Sequence, residues 1–334
     1  MNLATLYSLW EARGRLFTLH LDLTWRCPLA CVHCYLDSHR DAARDELSTS
    51  EWISLLEEAQ DLGVFSVLFS GGETFVRKDL FAILEAGRAM RFLLRLKTSG
   101  VLVEREEARH LAELKPIVVE VTLHGATPET HDAVAGVKGA FERTMAGVRY
   151  MHEAGVDVRV VTVAMGNTIG ETMATIGVCE SLGVPARAYV SLQPTADGRR
   201  LDALEASMDE KARVLAALLE DPKAAPRPPR PEEPLCGAAR TALYISPSGQ
   251  IQPCVMWPTV LGNAREGIAK AYESPAARLI RGLSHGDREG CKDCELYGFC
   301  GFCAACSVLE HGDPRRPNRT SCGLAAVRRR AGEL

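Results

Sequence analysis

Leu19-His-Leu-Asp-Leu-Thr-Trp-Arg-Cys-Pro-Leu-Ala-Cys-Val-His-Cys-Tyr35 is an apolar, β-prone run that passes directly into three cysteines. The thiols fall at Cys27, Cys31 and Cys34, just after what reads as the first strand of a sheet. Three thiolates this close can bind three irons of a 4Fe–4S cube and leave the fourth iron open, much as catalytic metal sites keep one open position. The spacing alone also suits a zinc ion or three buried thiols.

Outward from this stretch, short apolar runs at 16–23, 64–69, 92–97, 117–123, 156–164 and 186–192 alternate with helical patterns at 50–62, 80–90, 106–114, 140–154 and 171–182. Ser48 with Glu51 forms a capping box for the first helix, and Asp79 is placed to cap the second. Gly63, Gly155 and Gly183 each stand between a helix and the next strand, where a C′ glycine is expected. Strands alternating with helices imply βαβ units and a parallel sheet. Six units suit a partial (β/α)6 TIM-like barrel, with ligands at the C-terminal ends of its strands. A helix is expected at 208–220. Six prolines between Asp221 and Pro234 then read as a semi-rigid, polyproline-like connector. Beyond it, 242–246 and 250–253 flank Pro247-Ser248-Gly249 as a hairpin, with Gly249 expected at positive φ. One helix is expected at 267–281. The resulting organisation is a lead-in at 1–15, a barrel at 16–221, a linker at 222–234 and a small cysteine-rich domain at 235–334.

The chain has 334 residues, 46% of them hydrophobic and 25% charged, with a net charge of −4. A sizeable core is within reach, so disorder is excluded as a description. The charge offers no general attraction to nucleic acid or to an anionic membrane. Neither a signal peptide nor a spanning segment is visible, so the expected location is the cytoplasm. In that reducing compartment twelve cysteines point to metal or catalysis rather than disulfides. Eleven lie in two groups, at 27–34 and at 236–322, and Cys179 stands alone as an ordinary buried residue.

Thr24 to Tyr35, placed after a first barrel strand, looks like the cluster loop of the radical S-adenosylmethionine (SAM) superfamily. In that family SAM chelates the open iron of the cube. His33 stands where the family usually has an aromatic residue. Ser70-Gly71-Gly72-Glu73 ends the second strand and resembles the family's Gly-Gly-Glu motif, with Thr74 in place of proline. The resemblance implies that Gly71 and Gly72 let backbone approach the methionyl group, and that Glu73 accepts from its ammonium. Thr98-Ser99-Gly100 ends the third strand and Thr122-Leu-His124-Gly125 the fourth, which makes Thr98, Ser99 and His124 candidate SAM contacts. Asn167, at the end of the fifth, is the ribose candidate, with Arg159 as a mid-strand alternative. The implied activity is reductive cleavage of SAM to a 5′-deoxyadenosyl radical that abstracts hydrogen from substrate.

Cys236, Cys254, Cys291, Cys294 and Cys300 resemble the SPASM extension, which binds auxiliary 4Fe–4S clusters. After Cys300 this sequence departs from the family: Ala304 occupies the expected cysteine position, between Cys303 and Cys306. The resemblance puts Cys291, Cys294, Cys300 and Cys322 at the distal cluster and Cys236 and Cys254 at the proximal one. Cys303, Cys306 or both would complete the proximal set, and both is the reading adopted. A pair of structural zinc sites is the alternative that cysteine spacing leaves open.

The resemblance implies an oxidoreductase of the peptide-maturase kind, forming a thioether or carbon–carbon crosslink in a ribosomal peptide. The alternatives are oxidation of a tetrapyrrole or sugar alcohol, or a non-catalytic iron–sulfur or zinc protein serving electron transfer. Expected partners are the peptide or small-molecule substrate and a flavodoxin- or ferredoxin-type donor. With about 16 residues before the first strand, the expectation is a separate leader-binding protein, direct recognition of the peptide or a non-peptide substrate. Tyr189, Gln193 and His124 are candidates for the substrate pocket. Arg315, Arg316, Arg319 and Arg328–Arg330 read as a solvated face or a docking site.

Overall fold

The computed structural model describes residues 3–36, 45–219 and 228–334. Six parallel strands, β1 (Thr18–Thr24), β2 (Ser66–Gly71), β3 (Leu93–Thr98), β4 (Val118–Thr122), β5 (Val158–Val163) and β6 (Ala186–Tyr189), pair in chain order. Helix α1 (Leu3–Ala12) precedes β1. Between the strands run α2 (Thr49–Asp61), α3 (Leu80–Ala89), α4 (Arg105–Leu114), α5 (Pro128–Ala135), α6 (Ala140–Glu153) and α7 (Thr172–Ser181). The strands alternate: Leu19, Leu21, Val67, Phe69, Leu94, Leu96, Val119 and Val121 pack under the helices in one continuous core. The intervening residues therefore face the barrel lumen. Burying each large apolar side chain of that layer contributes about 1.5–3 kcal/mol.

Helix α8 (Met208–Leu218) follows β6. The hairpin then returns to the barrel. Strand β7 (Ala242–Ile245) adds in parallel beyond β1, with Thr18 opposite Ala242 and Leu21 opposite Ile245. Strands β8 (Gln250–Gln252) and β9 (Gly262–Asn263) continue antiparallel, which gives one sheet ordered β6-β5-β4-β3-β2-β1-β7-β8-β9. Leu243, Ile245 and Ile251 join the same core as β1. Helices α9 (Ile268–Tyr272), α10 (Pro275–Arg281), α11 (Ala304–His311) and α12 (Arg319–Glu333) complete the chain. Val327 and Ala331 of α12 share a smaller core with Ala212 and Val214 of α8.

Several expectations are met in detail. Ser48 and Glu51 form the reciprocal capping box of α2. Gly63, Gly155, Gly183 and Gly249 all have positive φ. Others need correction. Asp79 sits at the N-cap of α3 but makes no capping bond, because its carboxylate accepts from Arg77 and Thr49 instead. The helix expected at 267–281 is two helices, because Ser274 caps a fresh start at Pro275. The 208–220 helix ends at Leu218. Helices α1, α5, α11 and α12 were not anticipated. Residues 220–227 of the proline-rich stretch, including much of the connector, lie outside the described residues. Its last part is tethered rather than free: Gly286 donates to the Pro231 carbonyl, and Pro234 bridges to Ser284.

Candidate active site

The three-thiol loop leaves β1 at Thr24 and crosses the C-terminal end of β2. Its backbone runs against the two glycines there. A Cβ on Gly71 would lie 2.2 Å from the Thr24 carbonyl oxygen, and one on Gly72 2.4 Å from that of Arg26. Gly72 N–H donates to Thr24 O at 2.8 Å, and Glu73 N–H to Arg26 O at 2.9 Å. The first duty of these glycines is therefore to admit the thiol loop itself, which sequence reasoning had not anticipated. Leu23 and Leu47 carbonyls clamp the other side through the buried Arg77 guanidinium at 3.0–3.3 Å.

Glu73 is fully buried. Its Oε1 accepts from Thr98 Oγ1 at 2.7 Å and Phe75 N–H at 3.2 Å, and its Oε2 from Ser99 N–H at 2.7 Å and from the Ser99 hydroxyl. Four donors fill the four lone-pair positions of a carboxylate. An ammonium could reach it only by displacing one of them, and the Thr98 and Ser99 hydroxyls are the two that can rotate. Glu73 thus ties β2 to the β3 turn.

His124 closes the other wall. Its Nε2 lies 3.9 Å from Cys31 Sγ, and its ring is edge-on to His33 with centroids 4.8 Å apart. Behind it, His131 Nδ1 accepts the His124 backbone N–H at 3.1 Å. Burial holds His33 and His131 down at about 4 and His124 well below the ordinary imidazole value, so all three are neutral at pH 7. His33 Nδ1, His124 Nδ1 and His131 Nε2 are buried without hydrogen-bond partners. Soft thiols, a backbone cradle and orphaned imidazole nitrogens fit an iron–sulfur cube with a polar ligand upon it.

The C-terminal cysteines form two sets. Cys303 interacts electrostatically with Cys236, Cys254 and Cys306. Cys322 does so with Cys291, Cys294 and Cys300. Cys303 stands at the N-cap position of α11, where the adjacent Cys306 thiol and the backbone N–H groups of Cys306 and Ala305 hold its thiol below the ordinary cysteine value. Burial pushes Cys254 up to about 12. Cys306 Sγ donates to Gln193 Oε1 at 3.1 Å, which brings this set to the mouth of β6. Among the described residues no three His, Cys, Asp or Glu side chains converge tightly enough to share a single metal ion.

With this geometry in view, two family models match the chain: the radical SAM superfamily over residues 22–179 and the SPASM iron–sulfur cluster-binding domain over 236–295. The chain is a radical SAM enzyme. It carries a SPASM extension, and the two domains imply 4Fe–4S clusters and SAM as its cofactors. It is 27% identical to the AdoMet-dependent heme synthase of Oleidesulfovibrio alaskensis, over 85% of this chain and 81% of that protein. It is 29% identical to the PqqA peptide cyclase of Rhizobium meliloti, over 82% and 78%. In fold it is similar to SAM-bound Streptococcus suis SuiB, with a TM-score of 0.70, 18% identity, and 92% and 77% of the two chains covered. It is also similar to AdoMet-bound anSMEcpe, with a TM-score of 0.68, 15% identity, and 93% and 95% covered.

The remaining candidates of this radical SAM enzyme are placed less centrally. Asn167 is exposed in the turn after β5. Arg159 faces Asp157 in a two-bond pair. Cys179 is fully buried in the core. Arg315, Arg319, Arg329 and Arg330 pair with neighbouring carboxylates, which favours a solvated face. Among the described residues no helix is long and apolar enough to cross a membrane.

One group was missed altogether. Asp22 is fully buried on the lumen side of β1 and accepts from Tyr35 at 3.2 Å and Tyr244 at 2.9 Å, with His20 Nε2 3.1 Å away. Burial and this carboxylate together raise both phenols above their ordinary range. Asp22 thereby joins β1, the thiol loop and the β7 hairpin at one atom.

Proposed function

We propose that this enzyme modifies a C–H bond of a ribosomally made peptide, closing a thioether or carbon–carbon link or carrying out a related oxidation. In this reading Cys27, Cys31 and Cys34 hold the SAM-cleaving cube. His33, Gly71, Gly72, Glu73, Thr98, Ser99, His124 and Asn167 surround SAM, and residues 16–221 form the catalytic barrel. The observation that carries it is the convergence of thiol loop, glycine cradle and Glu73 tie at the C-terminal ends of β1–β3. Similarity to a peptide cyclase over 82% of the chain supports the choice of peptide. When bound, the reduced cube and SAM supply the radical that takes hydrogen from substrate. The chain's own work is positional. Glu73 fixes the Thr98–Ser99 turn, Gly71 and Gly72 seat the loop, and neutral His124 and His33 wall off water beside Cys31. A reducing flavodoxin- or ferredoxin-type donor in the cytoplasm would serve it.

A second reading, oxidation of a tetrapyrrole side chain, is favoured by the heme synthase relatives. The test separates the two. Anaerobically reconstituted enzyme is given SAM and dithionite, with either a peptide encoded beside its gene or a tetrapyrrole carboxylate. Loss of two hydrogens from the peptide, with matching 5′-deoxyadenosine, is expected. Change confined to the tetrapyrrole would replace this reading with the second.

The same reading gives Cys236, Cys254, Cys303 and Cys306 to the proximal auxiliary cluster, and Cys291, Cys294, Cys300 and Cys322 to the distal one. Cys303→Ala and Cys306→Ala are each expected to lose about four of about twelve irons. Elemental analysis with Cys179→Ala as control measures this. Full iron in both variants would sink the assignment.

A further inference from the structure

Below the thiol loop the lumen is lined by charge. On β3, Leu94 and Leu96 belong to the core, so Arg95 and Lys97 face the lumen. By the same alternation Glu120 on β4, Arg159 on β5 and Arg187 on β6 face it too. Register sets them side by side. Lys97 is opposite Glu120, Glu120 is opposite Arg159, and Arg187 lies one pleat along, opposite Val161. The Glu120 carboxylate pairs with the Arg187 guanidinium and lies 3.9 Å from Lys97 Nζ. Asp157 occupies Arg159 through two bonds of 3.0 Å.

Exposure distinguishes this row from a buried structural pair. The Glu120 side chain is 9% exposed, whereas Lys97, Arg159 and Arg187 are 48%, 51% and 53% exposed. One sunken carboxylate touches both the Arg187 guanidinium and the Lys97 ammonium, while about half of each cationic side chain stays open to solvent. Along β3–β6 the row sets four cations against the carboxylates of Glu120 and Asp157, in a chain whose net charge is −4. Tyr189 flanks the row, with the Arg187 guanidinium 5.2 Å over its ring. The row also begins one residue from Thr98, which Glu73 holds.

We propose that Lys97 and Arg187, supported by Arg95, form an anion subsite that anchors carboxylates of the substrate. Arg187 offers a planar fork for a carboxylate and Lys97 a point charge beside it. The inference rests on the reading of the lumen as the substrate chamber. It names what the substrate carries: carboxylates spaced to reach β3 and β6 while a C–H bond points up toward Cys31. Acidic side chains of a peptide and propionates of a tetrapyrrole share that chemistry.

Calorimetric titration of reconstituted, SAM-loaded enzyme distinguishes them. The probes are an octaglutamate peptide against octaglutamine, and coproporphyrin III against its tetramethyl ester. In one pair the carboxylate form is expected to bind at least about tenfold tighter, with the advantage shrinking as salt is raised. The pair that discriminates identifies the source. Lys97→Gln with Arg187→Gln should abolish the preference and Lys97→Arg should retain it. Glu120→Gln should tighten carboxylate binding several-fold, a gain that a purely structural Glu120 would not give. No preference in either pair, or a preference that survives the double variant, overturns the proposal. Absence of SAM cleavage alongside an intact preference would overturn the proposed function and leave the subsite standing.

Discussion

Cys31→Ala is expected to bring 5′-deoxyadenosine formation below detection while leaving the fold intact. Cys31 is the middle thiol of the loop and stands 3.9 Å from His124 Nε2. Its loss would leave Cys27 and Cys34, too few to hold a site-differentiated cube. Iron should fall by about four atoms per chain, with the auxiliary sites retained. The fold should survive because Cys31 lies in a half-buried loop whose backbone is pinned elsewhere, by Ala30 N–H to Ala135 O and Val32 N–H to Val134 O. Cys179→Ala is the proper comparison: a fully buried thiol whose removal should alter neither iron nor product. Product formation that survives in Cys31→Ala would remove the thiol loop from the reaction.

Gly72→Ala should be nearly as damaging, although it removes no functional group. The added methyl would meet Arg26 O at 2.4 Å, Trp25 O at 2.6 Å and Trp25 C at 2.8 Å. All three are backbone atoms that cannot rotate away. Moving the loop would also strain the 2.8 Å and 2.9 Å bonds that fasten it to Gly72 and Glu73. A shift of about 1 Å at a reacting centre costs on the order of a hundredfold in rate. SAM cleavage should therefore fall by at least about a hundredfold, with reduced iron at the first site. Gly170→Ala, where a methyl meets nothing within 4 Å, should be silent. Equal turnover in the two variants would show that the cradle is not needed.

The barrel and its thiols were readable because their signals are local. Each apolar run, the capping box at Ser48 and the spacing of Cys27, Cys31 and Cys34 lies within a dozen residues. What escaped depends on register and distance. Tyr35 and Tyr244 meet Asp22 from 13 and 222 residues away, and no local pattern announces that meeting. The lumen row needs the pairing of Lys97 with Glu120 and of Glu120 with Arg159, which sequence alone does not supply. The set of Cys303 with Cys236 and Cys254 joins thiols far apart in the chain, which no local spacing announces. Two misses were local and avoidable. Thr127 before Pro128 and Ser274 before Pro275 are both ordinary helix starts, and both side chains accept the expected backbone N–H.

The pairing of β7 with β1 has a consequence for how the protein is made. During synthesis the outer edge of β1 has no neighbour until Ile245 emerges, about 220 residues later. At about 5–20 residues per second the ribosome leaves that unpaired edge bare for about 10–45 s. Throughout that interval the freshly made thiol loop hangs beside an open strand, a template for pairing with other chains. Iron loading that waits for release of the whole chain would meet a closed sheet, whereas loading in mid-synthesis would not. The chain thus makes its oldest strand depend on one of its youngest, and truncation anywhere before β7 should yield an aggregating barrel rather than a smaller enzyme.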